Sequence, residues 1–323
     1  MSYTAPDMVN VTRQIIYTQM LQRRFKDWLL GQRMINDRTG EFPDGDTAFF
    51  DQVGQRTVKQ YAENTPVDFS KIDTSRIKLE VTEYPQDGFY ITDKQKQDSW
   101  KAAQFWSANV DESLLAFERQ LETDILSTAN QQVLDDPNLI NGQPHRFVAT
   151  GTNQVITLDD LRKAKLSMDK ARVPAAGRVL LIDPSVEFTL NALVQITEPT
   201  SGDIYNKDVQ GIINTGFGSE LMFNRTIFGF NIMISHNLPK VASETIDAGA
   251  GDVTVTNGVV NIALSMASAD ATPFMGVLRQ SPQSEFYRNT TYRRDEWSTV
   301  ARWGFALQRP ESLVTILTSE TGA

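Results

Sequence analysis

A chain of 323 residues with 40% hydrophobic and 22% charged side chains has the composition of a globular protein and the length for two domains or one elaborated one. It contains no cysteine and two histidines, which excludes disulfides, thiolate nucleophiles and cysteine-based zinc sites. The formal charge of −9 argues against a dedicated nucleic-acid binder, no run approaches the ~18 apolar residues of a membrane span, and the opening MSYTAPDMVN lacks the regions of a signal peptide. A protein made and used in a cytoplasm, with no membrane partner, is the expectation.

In chain order, residues 11–30 predict an amphipathic helix, with Tyr17, Leu21, Phe25 and Trp28 on one stripe and Gly31 as its stop. Arg13, Arg23, Arg24 and Lys26 share the segment and read as a solvated basic face, or as one able to touch phosphates. Residues 36–54, around PDGD, predict a loop; Asp44 and Asp46 lack the further ligands of a calcium loop. Between 75 and 92 the period changes to two: Ile77, Leu79 and Val81 alternate with polar residues, PQDG offers a turn, and Phe89, Tyr90 and Ile91 return. This predicts a hairpin with polar flanks, too poor in apolar surface to build its own core.

The longest predicted helix runs from an Asn109 cap to about Leu134, ~40 Å long, with Val110, Leu114, Phe117, Leu121 and Ile125 on its apolar stripe. Asp136-Pro137 ends it. Thr157 and Asp160 have capping-box spacing and open a second helix over Leu158, Leu161, Ala164 and Met168. In 173–193, VPAAGRVLLIDPSVEFTLNAL, Pro174 and Gly177 stop that helix, the apolar run from Val179 to Ile182 predicts a strand buried on both faces, and Asp183-Pro184 caps another helix. Residues 202–218 predict a loop, TIFGFNIMI at 226–234 a strand pair or bent strand, and Asn257-Gly258 a hairpin turn. After Pro282, EFYRNTTYRR, STVARWGFAL and SLVTIL predict an antiparallel meander, with Asp295-Glu296 between the first two strands.

No constellation of residues assembles a reaction. The cluster Gly216-Phe217-Gly218-Ser219 lacks the lysine of a P-loop and the third glycine of a dinucleotide fingerprint, and no G-x-S-x-G elbow exists. His236 follows a predicted strand without a second ligand nearby. Asp135-Asp136 and Asp159-Asp160 sit at helix ends, where dipole and capping account for them. No cofactor, metal or catalytic residue is expected. A long helix and a polar ribbon with no catalytic set point to self-assembly.

The order of these segments resembles the major capsid proteins of tailed bacteriophages, of the Hong Kong 97 fold. The resemblance rests on LEVTEYPQDGFYITDKQKQDS, on the helix from 109, on VPAAGRVLLIDP, on IFGFNIMISHNLP and on the closing SEFYRNTTYRRDEWSTVARWGFALQRPESLVTIL. It implies an α+β fold with an N-terminal arm at 1–59, an extended hairpin loop at 60–104, a spine helix with the first part of a peripheral domain at 105–144, an axial domain at 145–275, and returning peripheral strands at 276–323. The implied function is a coat protein that self-assembles as pentamers and hexamers into the icosahedral head enclosing double-stranded DNA. The virion is its place, after assembly in the host bacterial cytoplasm and maturation from a precursor shell. A separate scaffolding protein, a portal protein, a decoration protein and non-specific contact with packaged DNA are the implied partners; an acidic inner wall would not glue the genome in place. Tyr84, Pro85, Asp87, Gly88, Phe89 and Trp100 are the expected inter-subunit contacts, and Leu114, Phe117, Leu121 and Ile125 the expected spine core. Cross-linking of a ribbon lysine (Lys71, Lys78, Lys94 or Lys96) to Asn289, as in part of this family, is not expected, because it needs a carboxylate in an apolar pocket. The competing readings are an encapsulin-like shell, a hydrolase using His236, and a tail-tube or decoration protein, the last two classes being poorly matched by the long helix.

Overall fold

Two β-sheets share one long helix. The computed structural model describes residues 34–42, 45–54, 58–60, 63–64, 66, 69, 71–72, 74–98, 102–132, 139–195, 226–249 and 251–320. The expected helix at 11–30, Trp100, Asp135-Asp136 and the loop at 202–218 with its glycine cluster lie outside these residues. The chain begins with the strands β1 (Ile35–Asp37), β2 (Thr47–Val53), β3 (Thr74–Glu80) and β4 (Gln86–Thr92), then the short helix α1 (Asp93–Asp98) and the long α2 (Ala102–Ser127). Short strands β5 (Leu139–Ile140), β6 (Gln143–Pro144) and β7 (Arg146–Val148) lead to α3 (Leu158–Lys170), β8 (Arg178–Ile182) and α4 (Pro184–Gln195). The remainder is strand: β9 (Thr226–Ile227), β10 (Phe230–Ile234), β11 (Lys240–Asp247), β12 (Asp252–Ser265), β13 (Phe274–Asn289), β14 (Arg294–Leu307) and β15 (Leu313–Ser319).

The smaller sheet has the order β1-β13-β14-β4, and the larger runs β7-β15-β12-β8-β10-β9 with β11 also paired to β12. Strand β8 explains how the larger sheet is covered. Its five residues are all buried, and alternation sends Leu180 and Ile182 toward Leu161, Ala164 and Met168 of α3 and Val186 and Leu190 of α4. Val179 and Leu181 point the other way, into a core with Leu114, Phe117, Leu121 and Ile125 of α2. The same core continues to Phe274, Trp297, Ala301 and Trp303 of the smaller sheet. Helix α2, 26 residues and about 39 Å long, therefore packs on both sheets with a single apolar stripe. Each such side chain fully buried contributes about 1.5–3 kcal/mol relative to exposure.

Local signals account for several boundaries. Thr157 and Asp160 form the capping box: the Asp160 amide donates to Thr157 Oγ1 at 3.3 Å and the Thr157 amide to Asp160 Oδ2 at 2.9 Å. Asp183 caps α4 by accepting from the Ser185 amide at 3.0 Å, with Pro184 at the first helical position. Gly177 has φ +71°, and a Cβ there would meet the Ala267 amide nitrogen at 3.0 Å. Buried Arg178 then closes the end of α3, donating to the Val173 carbonyl at 2.7 Å and pairing with Asp169 at 2.7 Å.

Other expectations are corrected. The loop at 36–54 contains part of β1 and all of β2, because TAFFDQV alternates between turn signals on both sides. β3 and β4 do not form a hairpin with each other: β3 pairs with β2, β4 pairs with β14, and Asp87 and Gly88 of PQDG are strand residues. The long helix starts at Ala102, so Asn109 is an exposed interior position and not a cap, and it gives way to a 3₁₀ turn at Thr128–Gln131. Asn257-Gly258 does not turn the chain. Asn257 keeps the positive φ that suits an Asn-Gly step (49°), but as a kink inside β12, where that strand passes from its pairing with β11 to its pairing with β15. β13 and β14 form the expected hairpin, yet its turn lies at 290–293, with Asp295 and Glu296 already in β14. The third strand of the expected meander, β15, leaves for the larger sheet, so 276–323 is not one unit. Pro282, without an amide hydrogen, lies within the register shift between Gln280 and Gln283 of β13.

Candidate assembly surfaces

Helix α2 is fastened to each sheet by a carboxylate. Glu122 accepts from Ser235 Oγ at 3.0 Å and Asn237 Nδ2 at 3.2 Å, just beyond β10 of the larger sheet. Asp124, two residues on and so on the opposite side of the helix, accepts from Trp303 Nε1 of β14 at 2.9 Å and Gln120 Nε2 at 2.7 Å. Burial pushes the Asp124 carboxyl above the ordinary carboxylate range, opposed by those two hydrogen bonds, while Glu83 nearby pushes the same way as burial. Past the end of α2, Gln132 ties the crossing between the sheets: its Nε2 donates to the Pro310 and Leu313 carbonyls at 3.0 and 2.7 Å, and its Oε1 accepts from Thr315 Oγ1 at 3.1 Å. Arg146, buried in β7, pairs bidentately with Glu244 of β11 at 2.7 and 2.6 Å.

Strands β2 and β3 make a two-stranded ribbon with two unlike faces. Ala48, Phe50, Ile77 and Leu79 turn inward against Phe42, Met275, Val277 and Ala306. Phe49, Asp51 and Val53 turn outward, Arg76 pairing with Asp51 at 2.7 Å across the strands and lying over the Phe49 ring. Val53 is 77% exposed, and beyond the paired strands Val58, Phe69 and Ile72 are 100%, 88% and 71% exposed. So much apolar surface on a thin ribbon is left exposed by the described residues. At its root the ribbon presses on β14: Gly304 lies against the backbone of Glu80 and Val81.

The expected contact residues fall on β4 and the approach to it. Tyr84 is exposed, the Pro85 carbonyl accepts from the Ala301 amide at 3.1 Å, Asp87 and Gly88 pair with Thr299 and Ser298, and Phe89 packs edge-on to Trp106 and beside Trp297 within its own subunit. Nearby, Arg288 holds Asp93 of α1 with two bonds of 2.6 Å and Asp295 at 2.8 Å, and Lys96 also pairs with Asp295. The hydrogen bonds from Arg288 lower the Asp93 pKa. The expected spine residues Leu114, Phe117, Leu121 and Ile125 are all buried.

The hydrolase reading turns on His236. His236 is exposed, and its neighbour Ser235 is engaged by Glu122. His145 is fully buried; burial lowers its pKa, opposed by backbone carbonyls and Glu311. Among the described residues no group of three or more His, Asp and Glu is placed to hold a metal ion, and no helix is long and apolar enough to cross a membrane. Strand β2 and the bridging Gln132 were missed by sequence reasoning; the turn signals around TAFFDQV were the available clue to the first, and nothing local marks the second.

The family described as phage capsid protein matches residues 76–316, most of the chain, from within β3 to within β15. The chain belongs to that family. As a phage capsid protein it is a structural component of the virion's head shell. Its fold is also that of solved capsids at low identity. The chain of Mycobacterium phage Che8 is 17% identical, with 89% of this chain and 90% of that one covered and a TM-score of 0.58. For the capsid of the cyanophage P-SCSP1u the values are 15%, 89%, 87% and 0.62, and for the capsid of Ralstonia phage GP4 they are 12%, 88%, 87% and 0.58. No curated protein matches the chain.

Proposed function

We propose that this chain is the major capsid protein of a tailed phage, assembling as pentamers and hexamers into the icosahedral head that encloses double-stranded DNA. The family match over 76–316 carries the reading. In it the four-stranded sheet is the peripheral domain, the seven-stranded sheet the axial domain, and α2 the spine joining them. The extended loop is the β2–β3 ribbon, from about 46 to 81, which begins upstream of the 60–104 expected from sequence and overlaps it at 60–81. Its exposed Val53, Val58, Phe69 and Ile72 support a role in covering a neighbouring subunit. Scaffolding, portal and decoration proteins are the partners such a head would use, and assembly would take place in the host cytoplasm. No turnover is assigned to the chain.

Non-covalent contacts hold the proposed shell. Asn289 donates to Glu296 at 2.9 Å, but the hydrogen bond from Arg294 holds the Glu296 carboxyl below its ordinary range, the opposite of what a cross-linking base needs. Lys78 and Lys96 are paired to Glu80 and Asp295. Expression of the chain followed by sizing chromatography and negative-stain microscopy tests the whole reading: capsomers or closed shells are expected, and a stable monomer in the presence of a cognate scaffold would reject it. On a denaturing gel, boiled shells should run as the 36.2 kDa chain without a ladder of multiples.

A further inference from the structure

Helix α3 divides cleanly into two arcs. Asp160, Leu161, Ala164, Ser167 and Met168 are buried against the seven-stranded sheet, on the side opposite α2. The outer arc, at helical spacing, carries Arg162, Lys163, Lys165 and Lys170, all exposed, and Arg172 continues it past the last turn. Two acidic residues share the arc and both are already engaged: Asp159 accepts from Arg162 at 2.9 Å, and Asp169 pairs with buried Arg178 at 2.7 Å. Among the described residues, Lys163, Lys165, Lys170 and Arg172 have no ion-pair partner. In a chain of net charge −9 this face has the opposite sign from the whole.

The helix itself explains only part of that charge. Cations near a helix C-terminus are favourable, which accounts for Lys170 and Arg172. Arg162, Lys163 and Lys165 lie ahead of the last turn, where the dipole gives no reason for a cation, and Arg162 and Lys165 are like charges at neighbouring positions three apart. From Arg162 to Lys170 the row is about 12 Å long at 1.5 Å per residue. Duplex DNA offers one phosphate charge per about 1.7 Å of its axis, so several phosphates fall within reach of one such row.

We propose that the exposed face of α3, through Arg162, Lys163, Lys165, Lys170 and Arg172, is the surface by which the assembled shell touches the phosphate backbone of the duplex DNA it encloses. The assignment rests on the shell reading above. Lysines and arginines that meet phosphates fix position without reading bases, so the contact is independent of sequence. The role requires the face to line the lumen, and the rest of the acidic chain keeps the attraction local.

The test compares the full-length wild-type chain with a triple variant, Lys163→Gln, Lys165→Gln and Lys170→Gln, and with a control double variant, Lys94→Gln and Lys240→Gln, exposed elsewhere on the surface and outside the ribbon. Binding of a labelled random-sequence DNA duplex to capsomers is measured by fluorescence anisotropy between 50 and 200 mM salt. The triple variant should bind at least ten-fold more weakly at the low-salt end, with a log–log salt slope shallower by about 0.9 for each lysine that meets a phosphate. The control should match wild type, and all three should form shells. Equal binding by the triple variant and wild type overturns the proposal, as does binding of polyglutamate with no binding of duplex, which would mark an acidic protein partner. Capture of added duplex by intact closed shells through these lysines also overturns it, because the face would then be outside. Capsomers that bind duplex but never close into shells reject the shell reading and with it the enclosed-DNA role; shells that form normally with no binding at α3 reject only this inference.

Discussion

Gly304→Ala tests whether the ribbon is seated where the structure puts it. A Cβ at Gly304 would lie 2.7 Å from the Val81 Cα and 2.9 Å from the Glu80 carbonyl carbon, and closer still to the Glu80 carbonyl oxygen. Ordinary carbon contact begins near 3.5 Å, so the two backbones must part by about 0.8 Å or more. A side chain could rotate away; backbone flanked by the β2–β3 ladder on one side and the β13–β14 ladder on the other cannot. Overpacking of this kind costs about 1–3 kcal/mol. At about 2 °C per kcal/mol for a chain of this size, the melting temperature falls by about 2–6 °C. The assay is thermal unfolding of the purified chain by circular dichroism, with shells counted by microscopy at a temperature where the variant is folded. Fewer shells should form, because the ribbon root is tilted. Gly40→Ala is the control: nothing lies within 4 Å of its Cβ position, so stability should stay within about 0.5 kcal/mol of wild type. A Gly304→Ala chain that melts and assembles like wild type would show that β3 does not cross β14 at this point.

Leu121→Asp places a carboxylate in the centre of the α2 stripe, where an unpaired buried charge costs several kcal/mol or takes up a proton; insoluble protein or absent shells are expected, and a soluble, assembling variant would contradict the burial of that face. Replacing Val58, Phe69 and Ile72 together by Ser removes exposed apolar surface only, so the melting temperature of the isolated chain should hold while shell yield drops; unchanged yield would deny the ribbon its assembly role. His145, ordinarily titrating near 6.5, is held neutral by burial, so below that pH the unfolded chain binds a proton that the folded chain refuses. Stability is therefore complete above about pH 6.5 and falls as the pH drops toward the depressed folded pKa. His145→Gln should flatten that part of the urea midpoint against pH between 7.5 and 5, and an equal loss in both proteins would remove His145 as the cause.

Sequence alone determined the elements whose signals are local. The capping box at Thr157, the Asp183-Pro184 start of α4, the doubly buried run of β8 and the apolar stripe of α2 are each written within a few turns or strand residues, because caps and periodicity act between near neighbours. The order of those elements was enough to show the resemblance to tailed-phage capsids. Tertiary structure decided which strands pair, since period-two alternation is the same whichever neighbour completes the ladder. Thus β3 joined β2 across a long connection, leaving β4 to β14, and β15 crossed to the other sheet, where its doubly apolar LVTIL is covered from both sides. The Asn-Gly step shows the same limit from the other side: its positive φ is a local property, but whether that bend reverses the chain or kinks a strand depended on β15 lying alongside to continue the ladder. For α3 the buried arc was legible in the sequence, but that its acids were already taken by Arg162 and Arg178 was decided only by the fold.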